Sequence, residues 1–422
     1  METVEQKAQP QEVKTCNISI EDNLQEGKNK TVLSSPAVSK NQKKVPLLSY
    51  FTGAGLLDLG FMNQGFDVIW RNEFNLSFVK GFEYAMSALT KTDKHKITNK
   101  QSIVGLTPEK VMQEAFHNME RPETFGIIGG PPCTDFSVGG KNHGEYGKNG
   151  KLAEIYVNHI LEIQPSFFVL ENVKGLFQTN KHKSFLDKLI ARLEEYYITD
   201  TKILNALEYG VPQHRERGFL IGFHKNWLKK HTNFEVYSQN WFPWAKKKYD
   251  KPKKYNWPKR IPFGSQPEKP SDIPAELMIG TWICEAEDSL NKLPNASDQF
   301  IARSDKFNLI DEGDDTRKSF KRLHRWRYSP TAAYGNNEVH LHPIYPRRLS
   351  VREVMIIQSV PNEYVLPSDV PLSHKYKMIG NAVPVKLADA VAGSCSKIVT
   401  GSHIFNNTVG NDQLLLFSNT EV

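Results

Sequence analysis

Four side chains in this 422-residue sequence combine reactivity with an unusual setting. Cys133 follows two glycines and two prolines in GGPPCTDFS (129–137), directly after the apolar run TFGII. Pro131 and Pro132 stiffen the backbone that carries the thiol, and Thr134, Asp135 and Ser137 make its surroundings polar. A free cysteine is commonly a small buried hydrophobe. The competing reading is a nucleophile, which needs electropositive surroundings or a helix N-terminus to act below a reference pKa of about 8.5. Glu171 ends the apolar run FFVLENV, where desolvation raises a carboxyl towards the range of a proton donor; a capping or salt-bridged carboxylate is the alternative. Arg215 and Arg217, in QHRERGFLIGF (213–223), alternate at a strand start and so point to one face. Such a pair is either a solvated edge or a clamp for a phosphate or carbonyl oxygen.

A second group could hold a ligand. FTGAGLLDLG (51–60) follows a strand and opens a helix, a context in which Gly53 and Gly55 let the backbone approach a bound molecule. Leu56 stands where a third small residue would be wanted, so a structural tight turn and a cofactor loop both remain open. Glu73, in DVIWRNE, comes twenty residues after Gly53, where a carboxylate can accept from a ribose hydroxyl. Together the two point to an adenosine-containing cofactor.

These residues need elements to carry them. Strand-like VPLLSYF, FDVIWRNE, TFGIIGG and FFVLENV alternate with helical stretches, which predicts parallel βαβ units and an α/β sheet covered on both faces. Cys133 and Glu171 then fall at the carboxyl edge of that sheet, where ligand sites of open α/β folds collect. Periodicity breaks after RGFLIGFHKNW (217–227) and returns as helices at RRLSVREVMIIQSVP (347–361) and VPVKLADAVAGSCSKI (383–398). The reading is a polar, mobile tail over 1–44, a first catalytic segment over 45–224, a smaller irregular region over 225–345, a return to the first domain over 346–400, and a tail over 401–422.

Composition narrows the class. Lys and Arg outnumber Asp and Glu by 54 to 47, a formal net charge of +7 that points to an anionic partner, nucleic acid first. Cys16, Cys133, Cys284 and Cys395 form no CxxC pair, which argues against a zinc site and a disulfide framework and fits a reducing compartment. With no apolar leader and no membrane-length run, the expectation is a cytoplasmic protein without a metal.

In order and spacing, FTGAG, GGPPCTDFS, ENV, QHRER, RRLSVRE…IQSVP and YKMIGNAVPV resemble the cytosine-C5 DNA methyltransferases over residues 45–398. The resemblance implies a Rossmann-like methyltransferase domain with a mostly parallel sheet and S-adenosylmethionine as cofactor. It implies a monomer acting on flipped-out cytosine in duplex DNA, nucleoid-associated, within a restriction-modification system. By the same carry-over Cys133 matches the nucleophile that adds to C6, and Glu171 the acid at N3. Arg215 matches the arginine that holds O2, with Arg217 in support. Phe51, Gly53, Gly55, Glu73, Ile103, Pro132, Asn381 and Val383 match the cofactor pocket, and the last of these motifs is expected against the first helix. Three departures stand out: Thr134 replaces a customary glutamine, Leu56 a small residue, and Ser102 an aspartate expected at the adenine amino group.

Residues 225–345 match the target recognition region. There lysines interleave with Trp227, Trp241, Trp244, Tyr249, Tyr255 and Trp257, and Arg322, Arg325 and Arg327 follow, a pattern expected to hold phosphates. Two other functions compete: a tRNA cytosine methyltransferase of the same fold, and a DNA-binding protein without catalysis.

Overall fold

The computed structural model describes residues 44–90, 96–132, 148–234, 241–301, 305–317, 319–332, 334 and 340–405. The chain alternates strand and helix: β1 (Val45–Tyr50), α1 (Leu56–Asn63), β2 (Phe66–Asn72), α2 (Leu76–Thr90), β3 (Ile97–Asn99), α3 (Pro108–Ala115), β4 (Gly126–Gly129), α4 (Lys148–Ile163) and β5 (Phe167–Val173). There follow α5 (Lys174–Gln178), α6 (Asn180–Leu193), β6 (Tyr197–Asn205), β7 (Glu216–His224) and α7 (Lys225–His231). The strands form one seven-stranded sheet of order β3-β2-β1-β4-β5-β7-β6. Neighbours from β3 to β5 pair in parallel, and β7 alone runs antiparallel to both its neighbours. This is the expected mostly parallel α/β sheet.

The strands read as continuous apolar runs because both faces are covered. Leu47, Ile128, Phe167 and Val169 pack on one face, while Leu48, Ile127, Phe168 and Leu170 pack on the other. That alternation is the period of two of a strand with two buried sides.

After α7 the chain runs through short turns with α8 (Ile279–Ile283), α9 (Glu287–Leu290) and the two-residue strands β8 (Lys321–Arg322) and β9 (His340–Leu341). It then forms α10 (Val351–Ile357), α11 (Leu372–Asn381) and α12 (Val385–Val399). Ser350 and Glu353 close a capping box at the start of α10, the local reason that this helix begins where it does. The last helix does lie against the first. A Cβ on Gly60 would come within 2.5 Å of the Ala388 Cβ, and Gln64 donates to Asp389 at 2.9 Å. Only glycine permits so close an approach of α1 and α12.

Trp227, Trp241 and Phe242 are not displayed for nucleic acid. They are buried in the core of one sheet face, and Trp244 packs beside them with its indole N–H on Asp200. Phe405 joins the same core, tied to Asn233 by a reciprocal pair of hydrogen bonds at 3.1 and 3.2 Å. Trp227, Trp241, Phe242 and Phe405 therefore pack with the sheet and help to cover one of its faces.

Candidate active site

The site is built on strand ends. Phe51 follows β1, Glu73 follows β2, Ile103 lies four residues past β3, and Pro132 lies three past β4. These are four adjacent parallel strands, and the chain leaves β1 in opposite directions along the sheet, towards β2 and towards β4. Such a reversal of strand order opens a crevice at the carboxyl edge.

The first loop is shaped by backbone torsions. Phe51, Gly53 and Gly55 have φ of 53, 58 and 66°, and Gly55 is the left-handed N-cap of α1. Glu73 accepts from the Gly53 N–H at 2.8 Å and from the Asn75 N–H at 2.7 Å, so its carboxylate ties the loop to the end of β2. Burial pushes the Glu73 carboxyl above its ordinary pKa, against those same backbone donors. Beneath the loop, Asp58 of α1 accepts from Ser49 at 2.6 Å and pairs with Arg71 at 3.0 Å, all three side chains being buried. Leu56 occupies the core between α1 and α2, which accounts for a large residue at a position expected to be small. Ser102 caps the turn Ile103–Gly105 by accepting from Val104 N–H.

Glu171 is the third residue from the end of β5, and Arg217 is the second of β7. Arg217 Nε lies 3.1 Å from Glu171 Oε1, both side chains being about one-eighth exposed. Burial raises the Glu171 carboxyl pKa, and Arg217 and then Arg215 oppose that rise. Glu171 also crowds the cysteine loop, since a Cβ on Gly130 would meet its Oε2 at 2.7 Å. Next to it, Asn172 donates its side-chain amide to the Pro131 carbonyl at 3.2 Å. Cys133 and Thr134 lie outside the described residues; Pro132 is the last described residue before them.

Residues 45–397 match the family model for C-5 cytosine-specific DNA methylase. The chain belongs to that family. It is 42% identical over 363 residues to the Type II methyltransferase M.NmeDI of Neisseria meningitidis serogroup C, which covers 84% of each chain. It is 30% identical over 377 residues to the Type II methyltransferase M.FnuDI of Fusobacterium nucleatum, covering 84% of this chain and 95% of that one. Among solved structures, a protein described as a DNA modification methyltransferase encoded within an E. coli prophage superposes with a TM-score of 0.61 at 22% identity. That match covers 85% of this chain and all of the other, a likeness of fold. The protein is thus a DNA cytosine-5 methyltransferase.

In this methyltransferase the two arginines of QHRER divide their work in a way that alternate spacing did not foretell. Arg217 faces Glu171, whereas Arg215 is buried and donates to three main-chain carbonyls, those of Ala332, Gly380 and Ala382. The Arg215 fork, expected from the resemblance to hold O2, is thus occupied by main-chain carbonyls, while Arg217 is the arginine in contact with Glu171. Asn381 ends α11, and Val383 is buried just before α12. Sequence reasoning missed Gln213 and Gln358. Gln213 donates to Gln358 at 2.8 Å and accepts from Ala332 N–H at 2.9 Å. Gln358 lies in the helical stretch 347–361 and is fully buried, and a buried glutamine must find polar partners.

Two arginines expected to reach phosphates are also otherwise engaged. Arg322 is fully buried and donates to main-chain carbonyls of Phe307, Ile310, His342 and Tyr345, while Arg325 pairs with Glu312 at 2.8 Å. Arg327 is partly exposed beside Asp315. Lys251, Lys253, Lys254 and Lys259 remain exposed.

Proposed function

We propose that the enzyme methylates C5 of a cytosine in a short duplex DNA sequence, as the modifying partner of a Type II restriction-modification system, with S-adenosylmethionine as donor. What supports the chemistry is the closeness of Gly130 and Pro131 to Glu171 and Asn172, which brings the last described residues of GGPPC to the carboxyl-bearing strand end. Cys133 adds as a thiolate to C6, and the negative charge arriving on the ring is met by a proton or hydrogen bond from Glu171 at N3. Arg217 holds O2 and keeps the Glu171 carboxyl oriented. The cofactor supplies an electrophilic methyl to C5. A base then removes the C5 proton, and expulsion of the thiolate restores the aromatic ring. A base inside a duplex cannot meet these groups, so the cytosine must be flipped out.

The cofactor fits the residues present. Phe51, Gly53 and Gly55 would form the loop beside the donor, Glu73 would offer a carboxylate to ribose, Ile103 and Pro132 would offer apolar contacts, and Asn381 with Val383 would complete the pocket. The positive φ of both glycines and the Glu73 carboxylate on the Gly53 N–H suit close approach of a hydroxyl-bearing ligand.

The test is bisulfite sequencing of plasmid DNA from methylation-deficient cells that express the wild type or Cys133→Ala. Protection of cytosines in one short sequence by the wild type alone is the expected result. Protection that survives Cys133→Ala removes the nucleophile, and no protection by a folded wild type removes the DNA reading in favour of a tRNA cytosine.

A further inference from the structure

Three segments far apart in sequence meet on QHRER. The first is the segment by which the recognition region returns to the sheet. His214 N–H donates to the Ser329 carbonyl and Ser329 N–H to the Pro212 carbonyl, both at 2.8 Å, and the Thr331 hydroxyl donates to the His214 carbonyl at 2.7 Å. The second is the turn around Asn381. Arg215 Nη2 donates to the carbonyls on either side of it, Gly380 and Ala382, both at 2.8 Å, while Nη1 donates to Ala332 at 2.8 Å. The third is the end of α10, where Gln358 receives Gln213 and itself donates to Ile379 at 2.7 Å. The returning segment and the turn are also in direct contact, since a Cβ on Gly380 would stand 2.9 Å from Tyr334 N.

We propose that Arg215 is a positioning residue that couples the recognition region to the cofactor pocket, its guanidinium fastening Ala332 to Gly380 and Ala382. The inference rests on the functional reading above for what each segment binds. Its physical basis is that a buried guanidinium cannot release a carbonyl cheaply: a segment that moved would leave buried donors and acceptors without partners. A shift of 329–334 on DNA binding is therefore carried to the carbonyls flanking Asn381. Arg217, two residues on, carries the same constraint to Glu171. Coupling of this kind is reciprocal, so a ligand in the cofactor pocket must steady 329–334 by the same factor. Only an arginine suits the post, because its planar fork reaches acceptors on two segments at once while lysine is a single mobile charge.

Amide hydrogen exchange tests this on the full chain, with unmethylated plasmid DNA and S-adenosylhomocysteine as separate probes. In the wild type, DNA should slow exchange at 379–383 and S-adenosylhomocysteine should slow it at 329–334, each about fivefold or more. In Arg215→Lys, each probe should still protect its own side while both cross-protections vanish. Cross-protection that persists in Arg215→Lys, or that is missing from the wild type, overturns the proposal. Arg215→Gln, which keeps a donor but loses the fork that spans both segments, serves if Arg215→Lys does not fold; cross-protection that persists there overturns the proposal equally. If S-adenosylhomocysteine protects nothing, residues 51–55 included, the cofactor reading has failed, and the DNA arm alone decides the coupling.

Discussion

Arg217 and Glu171 are diagonal neighbours across the antiparallel pair β5–β7. Glu171 stands opposite Phe219, Arg217 opposite Val173, and the guanidinium crosses back to the carboxylate at 3.1 Å. The reversal of β7 makes this possible. It brings a strand start, with its arginines, beside a strand end, with its acid.

That pairing sets a pH dependence. Burial raises the Glu171 pKa and Arg217 is the largest influence lowering it, so removal of the cation moves the pKa up again. Arg217→Met should therefore shift the alkaline limb of the single-turnover rate to higher pH while lowering the rate itself. Glu171→Gln should abolish that limb. It should also flatten stability against pH, because a raised carboxyl contributes stability that is complete below its unfolded pKa and is lost as pH rises through the folded one. Denaturant unfolding from acid to neutral pH checks this part.

The buried Asp58–Arg71 pair anchors α1 to β2. Arg71→Met leaves the Asp58 carboxyl buried with Ser49 and should destabilise the fold at neutral pH by about 3 kcal/mol. The Asp58 carboxyl is already raised by burial, with Arg71 the main opposing influence. Losing Arg71 raises it further, so the deficit should shrink as pH falls and the carboxyl takes up a proton. Urea unfolding of both proteins across that range measures it.

Gly55 must be glycine for a local reason. At φ 66° an added Cβ is strained, and it would stand 2.9 Å from the Met86 methyl. Gly55→Ala should cost about 1–2 kcal/mol of stability and weaken S-adenosylhomocysteine binding, read together by thermal unfolding and calorimetry.

The tryptophans and the lysines past residue 225 should separate cleanly. Trp241→Ala opens a cavity in the sheet core and should cost about 3–5 kcal/mol of stability, with DNA affinity unchanged where the protein stays folded. Lys253→Gln and Lys254→Gln should leave unfolding alone and lower the slope of log affinity against log salt by about 1 for each phosphate left without its lysine. Fluorescence anisotropy at several salt concentrations distinguishes them.

The closing of the last helix on the first came from the family resemblance, whereas the parallel βαβ pattern and the placing of Phe51, Glu73 and Glu171 at strand ends were legible in the chain. Each depends on local spacing: apolar runs make strands, glycines mark the close approaches, and reactive residues follow strand ends. Partner choice was not legible. Arg215 and Arg217 have the same spacing and chemistry, and only the reversed strand gives one the Glu171 carboxylate and the other three carbonyls. Trp227 and Trp241 look like part of a phosphate-holding surface until the sheet core they enter is known. Arg322 and Arg325 look like phosphate ligands until the carbonyls and the Glu312 carboxylate that hold them are in place. A sequence determines which groups can pair; which of them do is decided by how separate segments meet, from Arg325 and Glu312, 13 residues apart, to Arg215 and Ala332, 117 apart.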